Sequence, residues 1–176
     1  MSSHRIKQQS LMSVTFQGNP VCITGFFPQV GQKAPSFTLC SAELNDFPLE
    51  SLSGKKVVLN IFPSIDTPVC ATSVRTFNQK LAKKEIEILN ISADLPFATG
   101  RFCGAEGIDI AQTASFFRSP SFTQSYGVNI SEGALKGLAS RAVVVIDESG
   151  VVLYSELVKE ITEEPNYDAV MKALGY

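Results

Sequence analysis

The 176-residue sequence has no tryptophan and a single histidine, His4, which stands in the polar opening stretch MSSHRIKQQSL, residues 1–11. A core without histidine cannot assemble a Ser–His or Cys–His nucleophile pair, nor a histidine-rich zinc site. Any activated nucleophile must therefore draw its reactivity from something other than imidazole. The four cysteines, at positions 22, 40, 70 and 103, include no CxxC pair. No apolar run approaches the roughly 18 residues that a membrane-spanning helix needs. Charge is not concentrated either: 15 basic and 17 acidic side chains give a net charge of -2. That leaves no basic stripe for nucleic acid and no polybasic patch for a membrane surface. His4, Arg5 and Lys7 are followed by no apolar h-region, so a secretory signal is not expected and the cytoplasm is the expected location. Neither a metal nor an organic cofactor is expected.

What is present is enough apolar material for a core. Hydrophobic residues make up 44% and charged residues 18%, the reverse of the low-hydrophobicity, high-charge signature of disorder. The length suits one domain, taken as residues 12–176, with residues 1–11 as an N-terminal extension. Four cysteines in a cytosolic chain of this size are not a structural disulfide framework; they are buried hydrophobes, metal ligands or redox centres.

The pattern along the chain alternates strand and helix signals. Val14–Thr24 alternates apolar and polar residues around Gln17-Gly18-Asn19-Pro20, which predicts a β-hairpin. A short strand is expected at Phe37–Leu39 and one helical turn within Pro48–Gly54. Val57–Phe62 and Ile86–Ile91 are nearly continuous apolar runs, typical of central strands covered on both faces. Between them Val74, Phe77 and Leu81 recur at helical spacing, so a helix is expected to Lys84. Strand, helix and strand make a βαβ unit. A second helix follows Asp94 through Phe97, Phe102 and Cys103 to Gly104, and Ile108–Ser121 reads as a segment with a mobile loop. Phe122–Tyr126 reads as one helical turn. Strands at Ala142–Ile146 and Val151–Glu156 flank the turn Asp147-Glu148-Ser149-Gly150, and a helix closes the chain near Asn166–Leu174. This order is that of a thioredoxin-like α/β fold, a central mixed sheet flanked by helices, with the N-terminal hairpin as an addition.

Open α/β sheets place their chemistry beyond the carboxyl ends of the strands, so the stretch after Phe62 matters most: Pro63-Ser64-Ile65-Asp66-Thr67-Pro68-Val69-Cys70. Thr67-Pro68 is a helix start, threonine at N-cap and proline at N1. Cys70 then falls at N3, among free first-turn amides and the positive end of the helix dipole. Both favour thiolate over thiol. Cys70 also lies on the stripe of Val74, Phe77 and Leu81, where a cysteine is ordinarily a small buried hydrophobe.

Pro63, Thr67 and Cys70 stand in a PxxxTxxC arrangement that resembles the peroxiredoxins, and the longer run PSIDTPVC is similar to their thiol peroxidase, or atypical two-cysteine, branch. The likeness continues in Ser92–Phe97, Arg101–Gly107 and Ser140–Asp147 and covers residues 12 to 176. One departure is Pro68, where glycine is expected in many members of that branch; proline suits N1 and stiffens the turn. The resemblance implies the peroxiredoxin form of the thioredoxin-like fold and a division of labour. Cys70 would attack a hydroperoxide and become a sulfenic acid, and Cys103 would resolve it as an intramolecular disulfide. Thr67 would hydrogen-bond the thiolate and the peroxide, and Arg141 would supply positive charge. Thioredoxin would reduce the disulfide. Hydrogen peroxide and alkyl hydroperoxides are the implied substrates, antioxidant defence the implied role, and a homodimer the implied assembly.

A free thiol of pKa about 8.5 is roughly 3% thiolate at pH 7, so full ionisation gains at most about 30-fold. Enzymes commonly supply 8 kcal/mol or more, and the remainder must come from donors aimed at the oxygen where charge develops. Against this reading, Cys103 can be a core cysteine and Arg141 a solvated rim residue. Cys22 and Cys40 fall in no motif and read as structural. A dithiol oxidoreductase would need a second sulfur where Thr67 stands. A redox sensor would share the first step but not turn over, and a purely structural domain would do neither.

Overall fold

The computed structural model describes residues 12–108 and 111–176. The expected extension at 1–11, with His4, lies outside the described residues, as do 109–110 within the expected mobile stretch. The apolar runs become β5 (Lys56–Ile61) and β6 (Ile86–Ser92), joined by α1 (Pro68–Leu81). They pair in parallel from Lys56↔Ile86 to Ile61↔Ile91, the expected βαβ unit. β9 (Ala142–Ile146) pairs antiparallel with β5 on its other side, and β10 (Val152–Leu157) pairs with β9. With β7 (Ala111–Ser115), β3 (Thr38–Ser41) and β4 (Asp46–Pro48) the order is β10-β9-β5-β6-β7-β3-β4. The sheet is mixed, as expected.

Strand alternation splits the two runs between two cores. Leu59, Ile61, Leu89 and Ile91 face one core with Phe116, Phe122 and Tyr126. Val58 and Ile88 face the other, with Phe77 and Leu81 of α1 and Val170 and Leu174 at the end of the chain. The closing helix, α4 (Tyr167–Ala173), is capped by Asn166, whose side chain accepts from the Ala169 amide. The expected hairpin is β1 (Met12–Phe16) and β2 (Asn19–Thr24), to which β8 (Asn129–Ile130) adds a third strand. Its turn is tighter than the sequence suggested. Gln17 and Gly18 alone make it, with φ of 51° and 81°, so Asn19 and Pro20 belong to the strand.

Other boundaries also move. α1 begins at Pro68 and stops at Leu81, short of Lys84, because Ala82 turns extended at ψ 135° and Lys83 follows it left-handed at φ 66°. The second helix, α2 (Pro96–Glu106), runs through Gly104 and ends on Gly107 at φ 63°. The expected turn within Pro48–Gly54 is a 3-10 segment, Leu49–Leu52, and α3 (Ser121–Ser125) is the turn expected at Phe122–Tyr126. β7 falls in the stretch expected to hold a loop. Gln112, Thr113 and Ser115 break its apolar pattern, yet it pairs between β6 and β3. Among the described residues no helix is long and apolar enough to cross a membrane.

Candidate active site

β5 delivers the chain to the sheet's carboxyl end, where the 63–67 loop turns into α1. Asp94, just past β6, shapes that loop: its carboxylate accepts from Ser64 Oγ (2.8 Å), the Ile65 amide (2.7 Å) and Ser92 Oγ (2.7 Å). Thr67 takes the N-cap position with φ -100° and ψ 144°, Pro68 is N1 and Cys70 is N3, as the spacing predicts. The Thr67 hydroxyl does not cap, however. The loop folds back so that both the Thr67 amide (3.2 Å) and Oγ1 (2.9 Å) donate to the Ser64 carbonyl. Its proton goes to Ser64 and not to Cys70; toward solvent it keeps only lone pairs to offer.

Cys70 is fully buried among Phe62, Ile65, Val74 and Ile108. Among the described residues its sulfur meets one charged group. Arg141 Nη2 donates to Cys70 Sγ at 3.2 Å. The register explains the meeting of residues 71 positions apart: Ile61 pairs with Ala142, so Arg141, one residue before β9, emerges beside the end of β5. Arg141 is only 2% exposed, which excludes a solvated rim arginine. Nε donates to the Ile161 carbonyl at 3.0 Å, while Nη1 has no partner among the described residues. None of the ion pairs among the described residues includes it. Burying a cation costs several kcal/mol, and one carbonyl and one sulfur compensate poorly for that. A guanidinium held this way is a stability liability, and the anion within its reach is the one Cys70 can form.

Cys103 lies on α2, half-buried, packed with Phe102 against the cluster that holds Cys70. Sequence-distant thiols thus share one apolar cluster, with no disulfide between them. Burial pushes the Cys103 thiol up from its ordinary value. Its carbonyl accepts from the Gly107 and Ile108 amides as α2 ends. Arg75 of α1 grips that last turn with a two-point ion pair to Glu106 (2.8 Å each) and stacks over Phe102 at 5.4 Å.

Three residues unmarked by the sequence reading support Cys70 from below. Ser73 Oγ donates to the Cys70 carbonyl (2.8 Å), and Asn60 Nδ2 donates to Ser73 Oγ (3.2 Å) and Asn90 Oδ1 (3.0 Å). All three are buried. The available signal was an asparagine inside each apolar run, at positions that pair in register as Asn60↔Asn90. A cavity of about 250 Å³ adjoins the site, lined by Thr67 and Arg141 and by the apolar Phe16, Leu135, Leu138 and Ile161. A larger one, about 450 Å³, opens at the opposite end of β5 near Lys33, Glu50 and Glu148 and contains no cysteine. Cys40 is buried in β3 and Cys22 half-buried in β2, both apart from Cys70. Among the described residues no cluster of His, Cys, Asp or Glu could hold a metal.

The Redoxin family model matches residues 29–171. A thiol peroxidase of Vibrio cholerae serotype O1 is 56% identical over 164 residues, which span 93% of this chain and 100% of that protein. A thiol peroxidase of Mycobacterium bovis is 50% identical over 165 residues, 94% of this chain and 99% of the relative. Among solved structures, a peroxiredoxin-like protein from Aquifex aeolicus superposes with a TM-score of 0.87 at 41% identity, covering 93% of this chain and 97% of that one. Thiol peroxidase from Chromobacterium violaceum gives 0.86 at 27% identity, covering 93% and 95%.

Proposed function

The chain belongs to the redoxin family and is a peroxiredoxin-type peroxidase, and from that premise we propose that Cys70 is its peroxidatic nucleophile. The Cys70 thiolate attacks the distal oxygen of a hydroperoxide; the S–O bond forms as the O–O bond breaks. Cys70 becomes a sulfenic acid, and the departing alkoxide or hydroxide takes a proton to leave as alcohol or water. The observation that carries this reading is the buried Arg141–Cys70 contact at 3.2 Å. Arg141 Nη1, with no partner among the described residues, is the donor for the oxygen on which charge develops. Thr67, its proton committed to Ser64, accepts from the peroxide O–H and orients it. The apolar walls of the adjoining cavity suit alkyl hydroperoxides as well as hydrogen peroxide.

Cys103 then attacks the Cys70 sulfur as a thiolate; the S–S bond of an intramolecular disulfide forms as the S–O bond breaks, and the departing hydroxide takes a proton from solvent to leave as water. Both cysteines stand in formed helices, so the turns around them must open locally first, and the Arg75 grip on Glu106 and Phe102 must release. Thioredoxin reduces the disulfide by dithiol exchange, which fits the expected cytoplasmic setting, and the net effect is peroxide removal in antioxidant defence. With thioredoxin, thioredoxin reductase and NADPH, the protein should consume many equivalents of peroxide. Its oxidised form should yield a single Cys70–Cys103 linked peptide by mass spectrometry. Consumption stopping after one equivalent would make it a sensor; a disulfide through Cys22 or Cys40 would move the site. Because burial pushes the Cys103 thiol up, its thiolate is scarce at neutral pH. The disulfide-forming phase in stopped flow should therefore accelerate by about tenfold per pH unit below that thiol's pKa, and a flat profile would exclude thiolate attack as the slow step.

An apolar face at the ends of two adjacent strands supports a homodimer. Leu95 and Phe97 follow β6 and Phe117 follows β7, which pair at Ser92↔Ser115, and Phe97 is 71% exposed. A second copy covers this face. Sedimentation equilibrium should give a dimer that Phe97→Ser shifts toward monomer; a monomeric wild type would remove the assembly.

A further inference from the structure

Glu160 lies outside the site yet collects four donors. One carboxylate oxygen accepts from the Gly18 amide (2.8 Å) and Thr15 Oγ1 (3.0 Å). The other accepts from the Thr162 amide (2.8 Å) and Thr162 Oγ1 (2.7 Å). These bonds, led by the Thr162 and Gly18 amides, hold the carboxyl down at about 2. No cation pairs with it among the described residues. The backbone repeats the tie: the Thr15 amide donates to the Lys159 carbonyl (2.7 Å) and the Ile161 amide to the Thr15 carbonyl (2.8 Å). Between Glu160 and Thr162 sits Ile161, buried, whose carbonyl receives Arg141 Nε at 3.0 Å. The elements so joined also supply Phe16, Gln17 and Thr162 to the cavity beside Arg141.

Resting on the cycle proposed above, we infer that Glu160 is a positioning residue for Arg141. Its carboxylate fastens the N-terminal hairpin to the strap whose Ile161 carbonyl aims the guanidinium at Cys70. Glutamine has one acceptor oxygen where the carboxylate has two, so Glu160→Gln must turn its amide toward one donor pair and release that side of the strap. Arg141 then keeps its charge but loses its aim.

The test is the second-order rate of Cys70 oxidation by hydrogen peroxide, in stopped flow, for wild type, Glu160→Gln, Arg141→Met and the double variant. Glu160→Gln should lose about tenfold. In the Arg141→Met background the same change should lose nothing further, because the group it positions is gone. A merely structural tie would cost the same factor in both backgrounds, and that additivity would overturn the assignment, as would a wild-type rate in Glu160→Gln. Should Glu160→Gln fail to fold, Thr15→Val and Thr162→Val each remove one hydroxyl from the carboxylate. Each should lose about threefold with the same non-additivity, and unchanged rates in both would overturn the assignment. A wild type inert to peroxide would instead overturn the cycle, a result distinct from an active wild type indifferent to Glu160.

Discussion

Cys70→Ser should leave no measurable reaction with hydrogen peroxide or with an alkyl hydroperoxide, while Cys103→Ser should reduce one equivalent and then stall in the presence of thioredoxin. The first half follows from nucleophile chemistry. A serine hydroxyl is far less acidic than a thiol, and it needs an adjacent base to attack at neutral pH. The sole histidine of the chain, His4, lies in the N-terminal stretch, and Arg141, the charged group at the sulfur, is a permanent cation. The variant would keep the donors and lose the group they serve. The second half follows from the proposed cycle: there Cys103 acts only after peroxide cleavage, so its loss should leave the first step intact and strand Cys70 as sulfenic acid. That species should be trapped by a dimedone-type probe at one equivalent per chain. Residual turnover by Cys70→Ser would transfer the chemistry to Cys22 or Cys40, and full turnover by Cys103→Ser would deny it the resolving role.

How far the sequence led depends on how local each feature is. The position of Cys70 at N3 needs only Thr67, Pro68 and the end of the preceding apolar run, all within ten residues, and it was legible. The thioredoxin-like order was legible for the same reason, since β5, α1 and β6 each carry their own periodicity. β7 was not, because an internal strand with Gln112, Thr113 and Ser115 has no apolar pattern and is defined by its neighbours. The burial of Arg141 was equally hidden. It follows from the pairing of Ile61 with Ala142, a long-range register that no local spacing encodes. Residue type alone makes Thr67 a capping side chain, but its hydroxyl donates instead to the Ser64 carbonyl that the loop fold brings within reach. Glu160 stands near Glu156, Glu163 and Glu164, and nothing in the local sequence sets it apart from these three as the acid that four donors surround.

Arg141→Met should slow Cys70 oxidation by a factor of about 10² to 10³, the loss typical of removing one donor from a site of developing negative charge. Methionine keeps an unbranched side chain in the buried slot, so packing is largely retained and the charge is what is lost. The same substitution should leave the melting temperature equal to or above that of wild type. In the native protein Arg141 is 2% exposed, with Nη1 unpartnered among the described residues, and relief of a poorly compensated buried cation offsets the loss of the bond to Ile161. Activity and stability therefore move in opposite directions, which separates a functional arginine from a structural one. A purely structural Arg141 would show the reverse, a lower melting temperature and an oxidation rate within a few-fold of wild type once folded. Arg141→Lys sharpens the contrast. It returns a positive charge without the planar fork that spans Ile161 and Cys70, so it should recover only part of the rate. Full recovery by lysine would mean that charge alone suffices and that the aim of the guanidinium contributes nothing.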